Sequence, residues 1–238
     1  MNPAREQHMN SSSEPGAGRR RESKQPGHPR RFQNPDVRLS KALSYALRHG
    51  AATLGLQMGT DGFLYLDELL HHPQFRSYTQ KDVLHVVETN SKQRFTLQPH
   101  PIDGRLQIRA NQGHSIQVRD LELVPIEDGP ECPTTAVHGT YLRHWPSIRA
   151  RGLCRMSRTH IHLAPGLPAE HEVISGMRKD CNLAIFINLQ KAISDGIKFF
   201  WSSNRVILTP GDEEGLLPPK YFQKVLQLKP DRCLLPLE

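Results

Sequence analysis

Apolar residues at Leu39, Ala42, Leu43, Ala46 and Leu47 recur three and four positions apart, the spacing of one face of a helix. Asp36 ahead of them is a good N-cap and Gly50 a good stop, so order is predicted to begin with a helix at Asp36. Tyr65 to His71 reads as a second helix. Thr79 with Asp82 opens a third, whose apolar face is Val83, Leu84, Val86 and Val87. The period then changes from helical to alternating: Arg94 to Gln98 and Leu106 to Ala110 flank Asp103-Gly104, the signature of a hairpin. Three helices followed by a hairpin predict a winged-helix-like unit.

Acidic and proline-rich residues from Glu127 to Pro133 interrupt the pattern, and a domain boundary is expected there, near Asp128. Beyond it the chain offers short strands at Thr135 to Gly139, His160 to Leu163, Leu183 to Asn188, Val206 to Thr209 and Val225 to Leu228. A helix carrying Leu142, Trp145, Ile148 and Arg149 lies between the first two and ends at Gly152. At the other end, residues 1–35 are rich in Ser, Gly, Pro, Gln and Arg with almost no large apolar side chain, so they cannot offset the entropy of ordering. The expected organisation is a disordered tail (1–35), a helical unit with a hairpin (36–128) and a mostly β unit (129–238), an α+β chain without internal repeats.

Charge changes this picture only modestly. Of the net +7, the tail holds +4, from seven basic residues against three acidic ones, which leaves +3 for the body. A pI near 9.4 points weakly to a polyanionic partner. The 238 residues suffice for a real core, and the mean hydropathy of -0.56 is lowered by the polar tail. Cys132, Cys154, Cys181 and Cys233 form no C-x-x-C pair, which favours neither a zinc site nor a disulfide framework and fits a reducing compartment, cytoplasm or nucleus. No run reaches the roughly 20 apolar residues of a membrane span, so a soluble protein is expected.

The residues that could carry chemistry each admit a plain alternative. Arg48 and His49 close the first helix, where cations match the carbonyl end of the dipole whatever their function. Arg94 sits on the polar side of its alternating run, as a solvated edge arginine would. Asn111-Gln112-Gly113-His114-Ser115 could hold a phosphate or ribose, or be an ordinary turn; the two readings weigh about evenly. His138-Gly139-Thr140 ends a strand where glycine admits close approach of a ligand, but Thr140 could equally cap the next helix. In Ser157-Arg158-Thr159-His160-Ile161-His162 the two histidines point the same way, and the further ligands a zinc ion would need are not evident nearby.

Taken in order, Leu39-Ser40-Lys41-Ala42-Leu43-Ser44-Tyr45, Leu47-Arg48-His49, Lys92-Gln93-Arg94-Phe95, Gln112-Gly113-His114-Ser115, His138-Gly139-Thr140, Ser157-Arg158-Thr159-His160-Ile161-His162-Leu163 and Ser175-Gly176-Met177-Arg178 resemble the motifs of the tRNA 2′-phosphotransferase family. The resemblance covers Asp36 to the C-terminus, and seven motifs in order are specific where one would be weak. It implies a winged-helix-like RNA lobe facing an ADP-ribosyltransferase-like lobe that binds NAD as co-substrate. It also implies a catalytic quartet of Arg48, His49, Arg94 and Arg158, with His138, Gly139, Thr140 and His162 holding the ribose and nicotinamide side of NAD and no metal.

The reaction so implied begins when an RNA 2′-phosphate displaces nicotinamide. Attack of the 2″-hydroxyl on phosphorus then frees the RNA 2′-OH and yields ADP-ribose 1″,2″-cyclic phosphate. Three guanidiniums suit phosphate because each presents a planar fork and keeps its proton. Gly50 departs from the proline that follows the Arg-His pair in many members, and no G-x-G-x-x-G fingerprint is present, so NAD rests on the resemblance alone. The expected partner is spliced tRNA or another RNA with an internal 2′-phosphate, bound by a monomer. Two other readings stay open: an enzyme that stops after transferring ADP-ribose to an acceptor, and an RNA-binding protein with a degenerate second unit.

Overall fold

The computed structural model describes residues 34–167, 176–178 and 180–237. The expected tail lies outside them through residue 33, and so does Ser175 of the seventh motif. The first helix, α1 (Pro35–Tyr45), starts earlier than predicted. Proline lacks an amide hydrogen, so it fits the first helical position, and the side chain of Asn34 accepts from Asp36 N at 2.9 Å. Asn34 and Pro35, expected in the tail, therefore belong to the folded body.

From Ala46 to Gly50 the helix widens into one π-type turn, a feature common at functional sites. There follow β1 (Leu64–Tyr65), α2 (Leu66–His71), α3 (Gln80–Glu88), β2 (Phe95–Pro99) and β3 (Leu106–Ala110). The capping box of α3 is present as expected, Thr79 and Asp82 each taking the other's amide. β2 and β3 pair from Phe95–Ala110 to Pro99–Leu106, and β1 adds to the far side of β3. Leu39, Leu43 and Leu47, one helical face, pack with Leu69, Phe75, Val83 and Ile108 in a core shut off from solvent. Truncating one of these, Leu43→Ala for example, would cost about 2–5 kcal/mol.

The rest of the chain contains β4 (Val124–Ile126), β5 (Val137–Thr140), α4 (Trp145–Arg151), β6 (Leu153–Cys154), β7 (Ile161–Leu163), β8 (Leu183–Ile187), α5 (Leu189–Ser194), β9 (Phe199–Trp201), β10 (Ile207–Thr209), β11 (Leu216–Leu217), β12 (Phe222–Gln227) and β13 (Cys233–Leu235). They form antiparallel sheets of order β4-β9-β10-β7 and β13-β12-β8-β5 and a small β11-β6 pair. β8 is buried along its whole length because β12 and β5 flank it on both edges and apolar layers cover both faces. Reciprocal hydrogen bonds between Val137 and Ala164 join the two four-stranded sheets. All five expected strands form with shifted ends. Thr140, weighed as a helix cap, is instead the last residue of β5, and a 3₁₀ turn from Leu142 leads into α4. The described residues from 34 to 237 form one compact unit.

Candidate active site

Arg48 and His49 occupy the π-type turn at the end of α1. A helix end leaves carbonyls without partners, and here the carbonyl of Arg48 accepts the amide of Ser115 at 3.0 Å. The Ser115 hydroxyl also meets Nδ1 of His49 at 2.8 Å. Gly113, at φ 91°, makes the left-handed turn that lays this loop on Arg48; a β-carbon there would sit 3.5 Å from the guanidinium carbon. The Gln112–Ser115 segment, weighed between ligand loop and turn, thus fastens the Arg-His pair.

Arg94 is fixed from the segment that follows α3. Asn90 Oδ1 accepts both its backbone amide and its Nη1, each at 3.2 Å. Its neighbour Gln93 is held at φ 44°, an uncommon conformation for a side-chain-bearing residue. The same segment reaches across the molecule: Lys92 donates from Nζ to the carbonyl of Met177 at 2.7 Å, and Asn204 donates to the carbonyl of Lys92.

The facing wall comes from β5, β7 and the turn before β7. Ile161 and Leu163 are buried in the core, so the alternation of the strand turns His162 to the opposite face. His138 on β5 bonds through Nδ1 to the carbonyl of His162 at 3.0 Å. Gly139 serves close packing, because an added β-carbon would lie 2.6 Å from the Met177 methyl and 2.8 Å from the Cys181 sulfur. Arg158 sits in a turn where Arg155 donates to its carbonyl at 2.9 Å, and the next amide, of Thr159, bonds to the carbonyl of His114 at 2.9 Å. Arg48, His49, the 113–115 loop and Arg158 therefore form one connected frame.

The frame encloses a cleft of about 470 Å³ lined by Arg48, Arg94, Arg158, His138, Gly139, Thr140, His160 and His162 among others. Of the expected site residues only His49 stands outside this lining; it lines a neighbouring concavity that shares Arg94 with the cleft. Burial, then Arg94 and Arg158, pull Arg48 down to about 10, which leaves it charged at neutral pH. Burial also lowers Arg94, and it lowers Arg158 with help from Arg178. Among the described residues no carboxylate contributes to any of the three. Arg48 Nε and Nη2 are buried without a hydrogen-bond partner. Unpaired buried charge is costly, and an anion bound here would offset that cost.

The imidazoles behave oppositely. Burial, then Arg158 and Arg48, hold His162 far below the ordinary histidine value, and burial lowers His138 and His160 too. They are neutral at pH 7, able to donate from one nitrogen and accept at the other. His162 Nε2 is shut off from solvent and unpartnered. His49 is lowered by burial and then by Arg48 and Arg158. The site thus offers cations for a phosphate beside neutral groups for hydroxyls. Among the described residues no His, Cys, Asp and Glu cluster suited to a metal occurs.

A family model described as RNA 2′-phosphotransferase, Tpt1 / KptA family, matches residues 34–211, from the cap of α1 to just past β10. The chain belongs to this RNA 2′-phosphotransferase family. Similar proteins include tRNA 2′-phosphotransferase 1 of Danio rerio, 62% identical over 86% of this chain and 91% of the relative. That of Homo sapiens is 58% identical over 87% and 82%. The tRNA 2′-phosphotransferase of Saccharomyces cerevisiae is 39% identical over 80% and 84%. As a member of the 2′-phosphotransferase family the protein is a transferase, and the matched span contains every residue of the cleft frame. Sequence reasoning named Arg48, His49, Arg94 and Arg158 but missed Asn90 as the anchor of Arg94, although it opens the segment that leads into the β2–β3 hairpin.

Proposed function

We propose that the protein removes the splice-junction 2′-phosphate from ligated tRNA by transferring it to NAD, giving nicotinamide, ADP-ribose 1″,2″-cyclic phosphate and RNA with a 2′-OH. The observation that carries the reading is the convergence of Arg48, Arg94 and Arg158 on one cleft with no carboxylate among the described residues to pair them. Each guanidinium presents a fork to phosphate oxygens, and each charge-assisted bond contributes about 1.5–3 kcal/mol. As negative charge shifts on the phosphate during transfer, fixed cations need not reorganise, which is how preorganised charge lowers a barrier.

NAD would supply the electrophilic ribose carbon and the hydroxyl that accepts the phosphoryl group. The chain's own groups fit such a molecule: buried, unpartnered His162 Nε2 can meet a ribose hydroxyl, and β5 lines the cleft with His138, Gly139 and Thr140. With the Ser115 hydroxyl on Nδ1, His49 keeps Nε2 for a proton moving to or from substrate. In this reading the helices and hairpin of residues 36–128 form a winged-helix-like RNA lobe. Residues 129–238 form an ADP-ribosyltransferase-like lobe.

The test is to incubate the protein with NAD and a short RNA carrying an internal 2′-phosphate, following the mass of both. Loss of phosphate with appearance of ADP-ribose cyclic phosphate is the expected result. RNA heavier by ADP-ribose would favour transfer without removal, and no change in either would favour a binding role.

A further inference from the structure

A second concavity, of about 610 Å³, runs between α1 and α3 and shares Arg94 with the catalytic cleft. It is within the roughly 300–1,000 Å³ of sites that hold molecules of nucleotide size. Asn90 spans its floor, with its amide 3.5 Å from the Ser40 hydroxyl while its oxygen holds Arg94. The walls carry hydroxyls at Ser40, Ser44 and Ser91, a lysine at Lys41 and a carboxylate at Asp36, set among apolar surface that includes Val37 and Val86. A phenol ring also lines the groove: Tyr45, 45% exposed, in a tilted contact with His49 at 6.4 Å between ring centres.

The ring's position depends on its surroundings. Gly50, one turn on, has no side chain, and a β-carbon there would overlap the Tyr45 ring. Tyr45 therefore lies over the π-type turn that carries Arg48 and His49, with one face left to the groove. An exposed aromatic platform next to a phosphate-binding cluster is the arrangement by which proteins hold single-stranded nucleic acid, since every base has a face to stack.

Resting on the reading that an RNA 2′-phosphate occupies the arginine cluster, we infer that the α1–α3 groove seats a nucleotide flanking that phosphate, with its base stacked on Tyr45. Arg94, common to both cavities, marks the passage between them. Stacking of this kind is tolerant of sequence, so the groove would sense that a base is present rather than which base it is.

The test is a cycle between protein and RNA. Wild type, Tyr45→Ala and Tyr45→Trp are assayed on hexamer RNAs with an internal 2′-phosphate, intact or lacking in turn the base on either side of it. Tyr45→Ala should raise KM on the intact hexamer roughly tenfold, the scale of one lost base stack, with the loss in KM rather than kcat. Tyr45→Trp should keep most of the wild-type KM. On the hexamer lacking the stacked base, Tyr45→Ala should add little. Gly50→Ala, which displaces the ring without removing it, should raise KM in the same direction and not add to Tyr45→Ala.

Equal effects of Tyr45→Ala on all three RNAs, or none on any, would overturn the inference. If wild type leaves the phosphate in place, the proposed function has failed. The same cycle read as Kd by fluorescence anisotropy then decides the groove, where absence of coupling between Tyr45 and either base would reject it.

Discussion

Two arginines in the first half of the molecule have opposite surroundings. Arg105, in the turn of the β2–β3 hairpin, is exposed and paired with Asp67 at 2.8 Å and Glu68 at 3.0 Å, and it stacks on Tyr65 at 3.8 Å. Those hydrogen bonds raise its pKa. Arg48 is largely buried, faces two further guanidiniums, keeps two nitrogens unpartnered and is pulled down. The first arrangement satisfies a guanidinium within the fold. The second leaves it unsatisfied within the fold, at a cost in stability that a bound anion would relieve.

The largest expected effect breaks the comparison at the cleft. Arg94→Ala and Arg158→Ala should lower turnover by roughly 100-fold or more, as loss of a preorganised donor does, while single-turnover assays of Arg105→Ala should stay near wild type. Comparable losses in all three would mean that the unpaired state of the cleft arginines is irrelevant to the chemistry.

Stability sharpens the same contrast. Arg48→Met removes an uncompensated charge, so the protein without ligand should unfold at an equal or higher temperature even though activity is lost. Saturating inorganic phosphate should stabilise wild type by about 2.7 kcal/mol at one hundred times its Kd and do much less for Arg48→Met. A marked fall in the unfolding temperature of Arg48→Met would show that Arg48 serves the fold itself.

Acid provides the third contrast. His114, buried without partners beside Arg48, is lowered to about 4, chiefly by burial and then by Arg48. A base with a depressed native pKa contributes stability above its unfolded value near 6.5 and loses it as pH falls towards 4, because the unfolded chain binds the proton first. On the order of 3 kcal/mol is at stake across that window. His114→Gln should flatten the acid limb of a urea-denaturation series. An unchanged limb would assign acid sensitivity to other groups.

The smallest effect concerns the chain entrance. Cutting before Asn34 should leave α1 intact, whereas cutting before Asp36 removes the Asn34 cap and should cost about 0.5–2 kcal/mol, readable in denaturant midpoints. Equal midpoints would remove the cap from the account.

How much of this was legible depended on how local each signal is. The apolar face of α1, the Thr79–Asp82 box and the β2–β3 hairpin are each written in one short continuous stretch of sequence, and all three formed. The true cap of α1 was obscured because Asp36 is itself a good cap, and only Pro35 shifts the start. The two-residue strands Leu64–Tyr65, Leu153–Cys154 and Leu216–Leu217 have too few positions to show alternation. β12 was read only from Val225, since its register shifts between Phe222 and Lys224 and blurs the earlier residues. At the site, residue types and order pointed to Arg48, His49, Arg94 and Arg158. The hydrogen bond from the Ser115 amide to Arg48 and the packing of Gly139 on Met177 are contacts between distant positions that no local pattern encodes.

The central claim is that the unpaired arginines grip an RNA 2′-phosphate, and calorimetric titration without NAD tests it most directly. A hexamer RNA with an internal 2′-phosphate should bind wild type at least tenfold more tightly than the same hexamer with a 2′-hydroxyl, and Arg94→Ala and Arg158→Ala should erase most of that difference. Equal affinity of wild type for the two RNAs would contradict the account.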